Sequence, residues 1–149
     1  MQHVPLREYA ANLQAMVRSG LDSGARVVLI TPPPVYEPVL EQRNREKGKA
    51  LLTDRLAPNT LRYVEACKEV AAQFSVPVPV VDAFAALGGL SEERGSFLRD
   101  GLHLNAAGNA ALFKAVQAVL QQQLPQLLPD ALPLYQPHWS EIIADPSVL

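Results

Sequence analysis

The sequence predicts an α/β fold with a parallel sheet and flanking helices, and three observations carry the prediction. Two short, nearly continuous apolar runs, residues 26–31 and 78–82, have the length and composition of strands buried in a parallel sheet. Three longer segments repeat their apolar residues at helical spacing. The two kinds alternate as helix, strand, helix, strand, helix, the order that builds parallel sheets.

The first helix is expected over residues 5–19. Pro5 suits the first helical position, where its missing N–H would have no intrahelical partner. Leu6, Tyr9, Leu13, Met16 and Val17 form one apolar stripe, and Gly20 is expected to end the helix. The run Val27, Val28, Leu29, Ile30 then reads as a strand buried on both faces, stopped by Pro32, Pro33 and Pro34, which cannot donate to a sheet ladder. Residues 41–55 are charged and polar with Gly48 among them, and read as a solvated loop or short helix. Their Arg and Lys residues alternate with Glu41, Glu46 and Asp54, the pattern of a solvated face.

A second helix is expected from Asn59 or Thr60 to Phe74, with Leu61, Val64, Ala71 and Phe74 on one face. Residues 78–82 read as the second strand, with Pro79 confined to its start or to a sheet edge. A mixed loop follows through Gly88 and Gly89 to Gly95. The last helix is expected over 106–124, capped by Asn105, with Leu112, Phe113, Val116, Val119, Leu120 and Leu124 as a core stripe. Beyond Pro125 a proline-punctuated tail containing Trp139 is expected to pack over the surface. Residues 1–149 thus read as one partial domain, with a core over 4–124 and a tail over 125–149. Two strands make a poor sheet, because each presents a bare edge. The chain reads as the second half of a larger α/β domain.

Bulk properties narrow the function. A chain of 149 residues fits one domain, and its 48% apolar content is that of an ordinary globular protein. A net charge of −2 with no basic face argues against nucleic acid or anionic membrane as the main partner. No apolar run approaches the roughly 18 residues needed to span a bilayer. Cys67 is the single cysteine, so there is no intrachain disulfide and no cysteine-based metal spacing. His3 and His138 fall in no metal-ligand spacing either. No cofactor or metal is expected, and the sequence carries no signal for an oligomeric state. A cytoplasmic location is expected, on condition that no targeting segment precedes Met1.

The chemistry concentrates in residues 97–108. Asp100, Gly101, Leu102 and His103 form a polar step just before a helix start. Histidine takes and returns a proton near neutral pH, which acyl transfer needs twice. A carboxylate holds the imidazole in the right tautomer and stabilises its charged form. Gly101 is free to take a backbone shape that turns both side chains toward one point. Asp-Gly is also an ordinary turn dipeptide, so the spacing alone leaves a structural turn open.

The surroundings add to this. Asp100, Gly101, His103, Leu104 and Gly108 resemble the last conserved block of the SGNH (GDSL-type) hydrolases, which supplies the acid and base of a Ser–His–Asp triad. Residues 4–9, Asn12 and Leu13, the run from Val28 to Pro34, and the tail with Leu132, Pro133, Pro137, His138 and Trp139 are similar to the isoamyl acetate-hydrolysing esterase subgroup. The resemblance covers nearly the whole chain. It implies the C-terminal portion of a flavodoxin-like, three-layer fold with two of the family's five parallel strands. It implies Asp100 and His103 as catalytic residues, small short-chain esters as substrates, and no cofactor.

The family's Gly-Asp-Ser block with the nucleophile, its oxyanion-hole glycine and its Gly-x-Asn-Asp block are not in the sequence. Ser23, in Asp22-Ser23-Gly24, sits where turn residues belong, and Ser96 lacks the strand-to-helix elbow of a nucleophile. Cys67 lies mid-helix among apolar residues and reads as a small buried hydrophobe. Two readings follow. One is an esterase chain inactive by itself for want of serine and oxyanion donors. The other is a non-catalytic interaction module, or a half-domain that a partner chain completes through an exposed strand edge.

Overall fold

The computed structural model of the chain describes residues 3–49, 55–132 and 139–144. The chain forms two compact units, residues 1–119 and 120–149.

The first unit begins with helix α1, Leu6–Asp22. Pro5 precedes it as the N-cap rather than entering it, and its carbonyl accepts the Tyr9 N–H at 2.9 Å. The helix does not stop at Gly20. It runs on to Asp22, and the turn is made by Gly24 at φ 81°. Gly20 serves packing instead, since a Cβ there would lie 2.8 Å from Cγ2 of Val27.

Strands β1, Leu29–Ile30, and β2, Val80–Val81, pair in parallel, with Leu29 opposite Val80 and Ile30 opposite Val81. Helix α3, Ala57–Ala72, lies between them in sequence, so the predicted strand–helix–strand unit is present. Both strands are shorter than expected. The ladder runs from the carbonyl of Pro79, which accepts the Leu29 N–H at 2.9 Å, to the Thr31 N–H, which donates to Val81 at 3.0 Å. Pro79 has no N–H to extend it, and Pro33, the next residue of β1 in register to donate, has none at the other end.

Helices α1 and α3 close one core over the sheet, in which Val17, Leu29, Cys67, Ala71 and Val78 are buried. Tyr9 and Tyr63 meet edge to face beside it, with ring centroids 5.1 Å apart. Ile30 is 50% exposed, so β1 is not buried on both faces as its composition predicted. Parallel strands are ordinarily covered on both sides, and here the Ile30 side of β1 is only half covered.

The charged stretch after β1 is helical from its start: α2 spans Glu37–Glu46 and buries Leu40. Residues 50–54 lie outside the described residues. The expected mixed loop also carries regular turns. Helix α4, Ala83–Ala86, is capped by Asp82, which accepts the Ala85 N–H at 2.9 Å, and a 3₁₀ turn covers Glu92–Phe97.

Helix α5 spans Ala106–Gln123, as the periodicity predicts, but its apolar stripe is not a core. Gly108 is its one buried residue, Leu112, Val116, Val119 and Leu120 are half-buried, and Phe113 is 61% exposed. Two strands of two residues each present little sheet for helices to cover. The second unit holds the end of α5, buried Leu124, 3₁₀ turns at Pro125–Leu127 and Pro129–Ala131, and helix α6, Trp139–Ala144. Pro133, Pro137 and His138 lie outside the described residues. Among the described residues, no helix is long and apolar enough to cross a membrane.

Candidate active site

The segment from Phe97 to Asn105 is a closed loop. Leu98 and Leu104 form an antiparallel bridge, the Arg99 N–H donates to the His103 carbonyl at 2.8 Å, and the Asn105 N–H donates to Phe97 at 3.0 Å. Asn105 fastens the loop to α5. Its Oδ1 accepts the Gly108 N–H at 2.9 Å, which is the predicted helix cap, and its Nδ2 donates to the Ser96 carbonyl at 2.7 Å. A Cβ on Gly108 would collide with the Phe97 carbonyl oxygen, so the helix start and the loop are in direct backbone contact.

Gly101 meets two demands at once. Its φ is 80°, a region that side chains disfavour, and a Cβ there would lie 2.7 Å from the Tyr36 carbonyl oxygen. Its own carbonyl accepts the Tyr36 N–H at 2.9 Å. The loop is thereby pinned to the residues that open α2.

The turn brings Asp100 and His103 together, as their spacing predicts. Asp100 Oδ1 accepts the N–H groups of Leu102 at 3.2 Å and His103 at 2.8 Å. His103 Nδ1 lies 2.9 Å from Oδ2 and 3.1 Å from Oδ1. The backbone N–H of His103 holds the Asp100 carboxyl well below the usual carboxylate range, assisted by the imidazole and the Leu102 N–H and opposed by burial. Asp100 is therefore an anion at neutral pH, and as an anion it is only an acceptor. The neutral imidazole must then carry its proton on Nδ1, which leaves the Nε2 lone pair to receive one. The Asp100 side chain is 13% exposed and that of His103 is 62% exposed, so the imidazole stands toward the surface with the carboxylate behind it.

Arg43, read from the sequence as part of a solvated face, is the residue that sequence reasoning missed. Its Nη1 donates to Asp100 Oδ2 at 2.6 Å, across 57 positions of sequence. No local pattern marks this contact, because α2 reaches the loop only through the fold. A second missed residue is Arg94, buried in the 3₁₀ turn. It donates to the carbonyls of Val35, Leu90 and Ser91 and pairs with Glu37 at 3.1 Å. Burial pushes the Glu37 carboxyl up, but the Ala57 N–H and Arg94 outweigh it and hold the group below its usual range. Glu37 opens α2, so its pairing with the buried Arg94 fixes the helix that carries Arg43.

The serines serve the backbone. Ser96 Oγ donates to the Glu93 carbonyl and Ser23 Oγ to that of Gly20, both at 2.7 Å. Cys67 is buried, and burial pushes its thiol up, away from reactivity. Among the described residues, no group of three or more His, Cys, Asp or Glu side chains is placed to hold a metal ion. A cleft of about 560 Å³ adjoins the loop at Leu102 and is lined also by Val4, Leu6, Pro32, Val35 and Tyr63. Pro32, which lines this cleft, follows the C-terminal end of β1, the end beyond which open α/β sheets bind ligands.

The chain is similar to known proteins. The family model described as GDSL-like lipase/acylhydrolase matches residues 1–116. The isoamyl acetate-hydrolyzing esterase 1 homolog of Mus musculus is 37% identical over 144 residues, covering 95% of this chain and 54% of the mouse protein. The Rattus norvegicus homolog is 40% identical over the same coverage. The chain therefore spans about half the length of these curated relatives. Among solved structures, a putative platelet activating factor from Streptococcus pneumonia superposes with a TM-score of 0.63 at 28% identity, over 78% of this chain and 52% of that one. The chain belongs to the GDSL-like lipase/acylhydrolase family.

Proposed function

We propose that this chain carries the acid–base half of a carboxylic ester hydrolase site, with Asp100 and His103 as its catalytic pair and short-chain acyl esters as substrates. The observation that carries the reading is the 2.9 Å contact of His103 Nδ1 with an anionic Asp100. In the reaction, Nε2 of His103 takes the proton of a serine hydroxyl as its oxygen attacks the ester carbonyl. The same nitrogen returns the proton to the departing alcohol. A water then loses a proton to Nε2 as it attacks the acyl-enzyme, and Nε2 returns that proton to the serine oxygen as the bond to the acyl group breaks and the acid leaves. Asp100 keeps the imidazole in the required tautomer and stabilises the imidazolium between transfers.

The 149 residues contain neither Gly-Asp-Ser nor Gly-x-Asn-Asp. The nucleophile and the oxyanion donors would thus come from polypeptide outside this sequence. By itself the chain is expected to hydrolyse a short-chain chromogenic ester no faster than background. Loss of a triad serine costs about 10⁶ in turnover, and one oxyanion donor is worth roughly 10²–10³. The test fuses the preceding half of the mouse relative to this chain. Ester hydrolysis by the fusion that His103→Ala abolishes supports the reading. Hydrolysis by the fusion that survives His103→Ala, or turnover by the chain alone that depends on His103, contradicts it.

One observation favours a second reading, an interaction module completed by a partner chain. Among the described residues β1 pairs with β2 along one edge and with no other strand. A strand edge of this kind accepts an added strand.

A further inference from the structure

We propose that Arg43 is a positioning residue that holds the Asp100 carboxylate from α2 and offsets its charge toward the imidazole, and so keeps His103 available as a neutral base. The inference rests on the proposed acid–base role of the pair. Arg43 Nη1 and His103 Nδ1 share one oxygen, Asp100 Oδ2, at 2.6 and 2.9 Å. The other oxygen accepts the two backbone N–H groups of the loop and lies 3.1 Å from the same Nδ1. Arg43 thus reaches the carboxylate oxygen nearer the imidazole. Nη1 also donates to the Asp100 main-chain carbonyl at 3.4 Å, so the guanidinium ties the side chain to its own backbone.

The charge consequence is separate from the geometry. An imidazole beside a lone carboxylate gains an ion pair when it protonates, and so binds its proton more tightly. A base that is already protonated cannot accept a proton from an attacking hydroxyl. A guanidinium on the same oxygen offsets the carboxylate charge before the imidazole titrates. Arginine suits this task because it stays charged at every working pH. Its side chain is 39% exposed but rises from α2, which the pairing of Glu37 with the buried Arg94 fixes in place. Asp100 thus has two side-chain partners, Arg43 from α2 and His103 from its own loop.

The test follows the His103 imidazole by NMR against pH in the 149-residue chain and in R43Q, R43K and D100N. In R43Q the imidazole titration is expected to move to higher pH, by on the order of half a unit for one partly solvated charge at this range. R43K keeps the charge and is expected to move it by less than half as much. D100N is expected to move it to lower pH. An R43Q titration that stays in place or moves down, while D100N still lowers it, overturns the role of Arg43 and leaves the pair intact. Equal shifts in R43Q and R43K overturn it too, because loss of geometry would then suffice. If D100N changes nothing, the pairing of Asp100 with His103 itself fails.

Discussion

Replacing Gly101 by alanine should loosen the loop that holds Asp100 and His103, and the cost can be worked from its surroundings. A side chain at φ 80° costs about 1–2 kcal/mol in left-handed strain. The added Cβ would stand 2.7 Å from the Tyr36 carbonyl oxygen, 3.0 Å from Leu40 Cγ and 3.1 Å from the Leu40 N, so the loop and α2 must separate. Separation weakens the bond from the Tyr36 N–H to the Gly101 carbonyl, worth about 1 kcal/mol. Alanine also restricts the unfolded chain, which returns about 0.4–1 kcal/mol. The net loss is about 2 kcal/mol, a fall in melting temperature of roughly 4–8 °C for a chain of this size. Urea unfolding of G101A beside the wild type measures it. Stability within about 0.5 kcal/mol of the wild type would refute the claim that Gly101 is required both by its backbone and by its neighbours.

Three further outcomes are expected. Because the Asp100 carboxyl is held below its unfolded value of roughly 3.9, its contribution to stability is present above that pH and is lost as the pH falls through the lower folded value. Acid unfolding of D100N should lack this part of the dependence, and identical acid profiles would contradict it. Arg94→Met leaves Glu37 with a half-buried charge and no ion-pair partner, and should destabilise the fold by about 3–5 kcal/mol in denaturant unfolding, where a loss under 1 kcal/mol would show the pair to be dispensable. Phe113→Ser should change stability by no more than about 0.5 kcal/mol, because the ring is 61% exposed, whereas a core phenylalanine would cost several times more.

The parts of this molecule written in the sequence are those set by neighbours a few residues away. The periodicity of α1, α3 and α5 reflects one turn of helix after another, and Asp100, Gly101, His103 and Asn105 build their loop from local bonds. Both were legible. Periodicity shows which side of a helix is apolar, but it does not show whether another layer covers that side. Phe113 and Ile30 were for that reason read as core and are half or more exposed. Gly20 looked like a helix stop because glycine is free to leave the helix, yet the approach of Val27 is what requires a glycine there. Arg43 and Arg94 were illegible for another reason. Their partners are a carboxylate 57 residues away and a set of main-chain carbonyls, and neither leaves a pattern in the side chains.

The pairing of Asp100 with His103 is tested most directly by the tautomer of the His103 ring. Correlation of the ring nitrogens with the carbon-bound ring protons, in ¹⁵N-labelled chain above neutral pH, distinguishes a protonated Nδ1 from a protonated Nε2. The 2.9 Å contact with an anionic carboxylate predicts the proton on Nδ1 and a bare Nε2, with that preference lost in His103 when Asp100 is replaced by alanine. A ring protonated mainly on Nε2, unchanged by Asp100→Ala, would show that the two residues share a turn and nothing more.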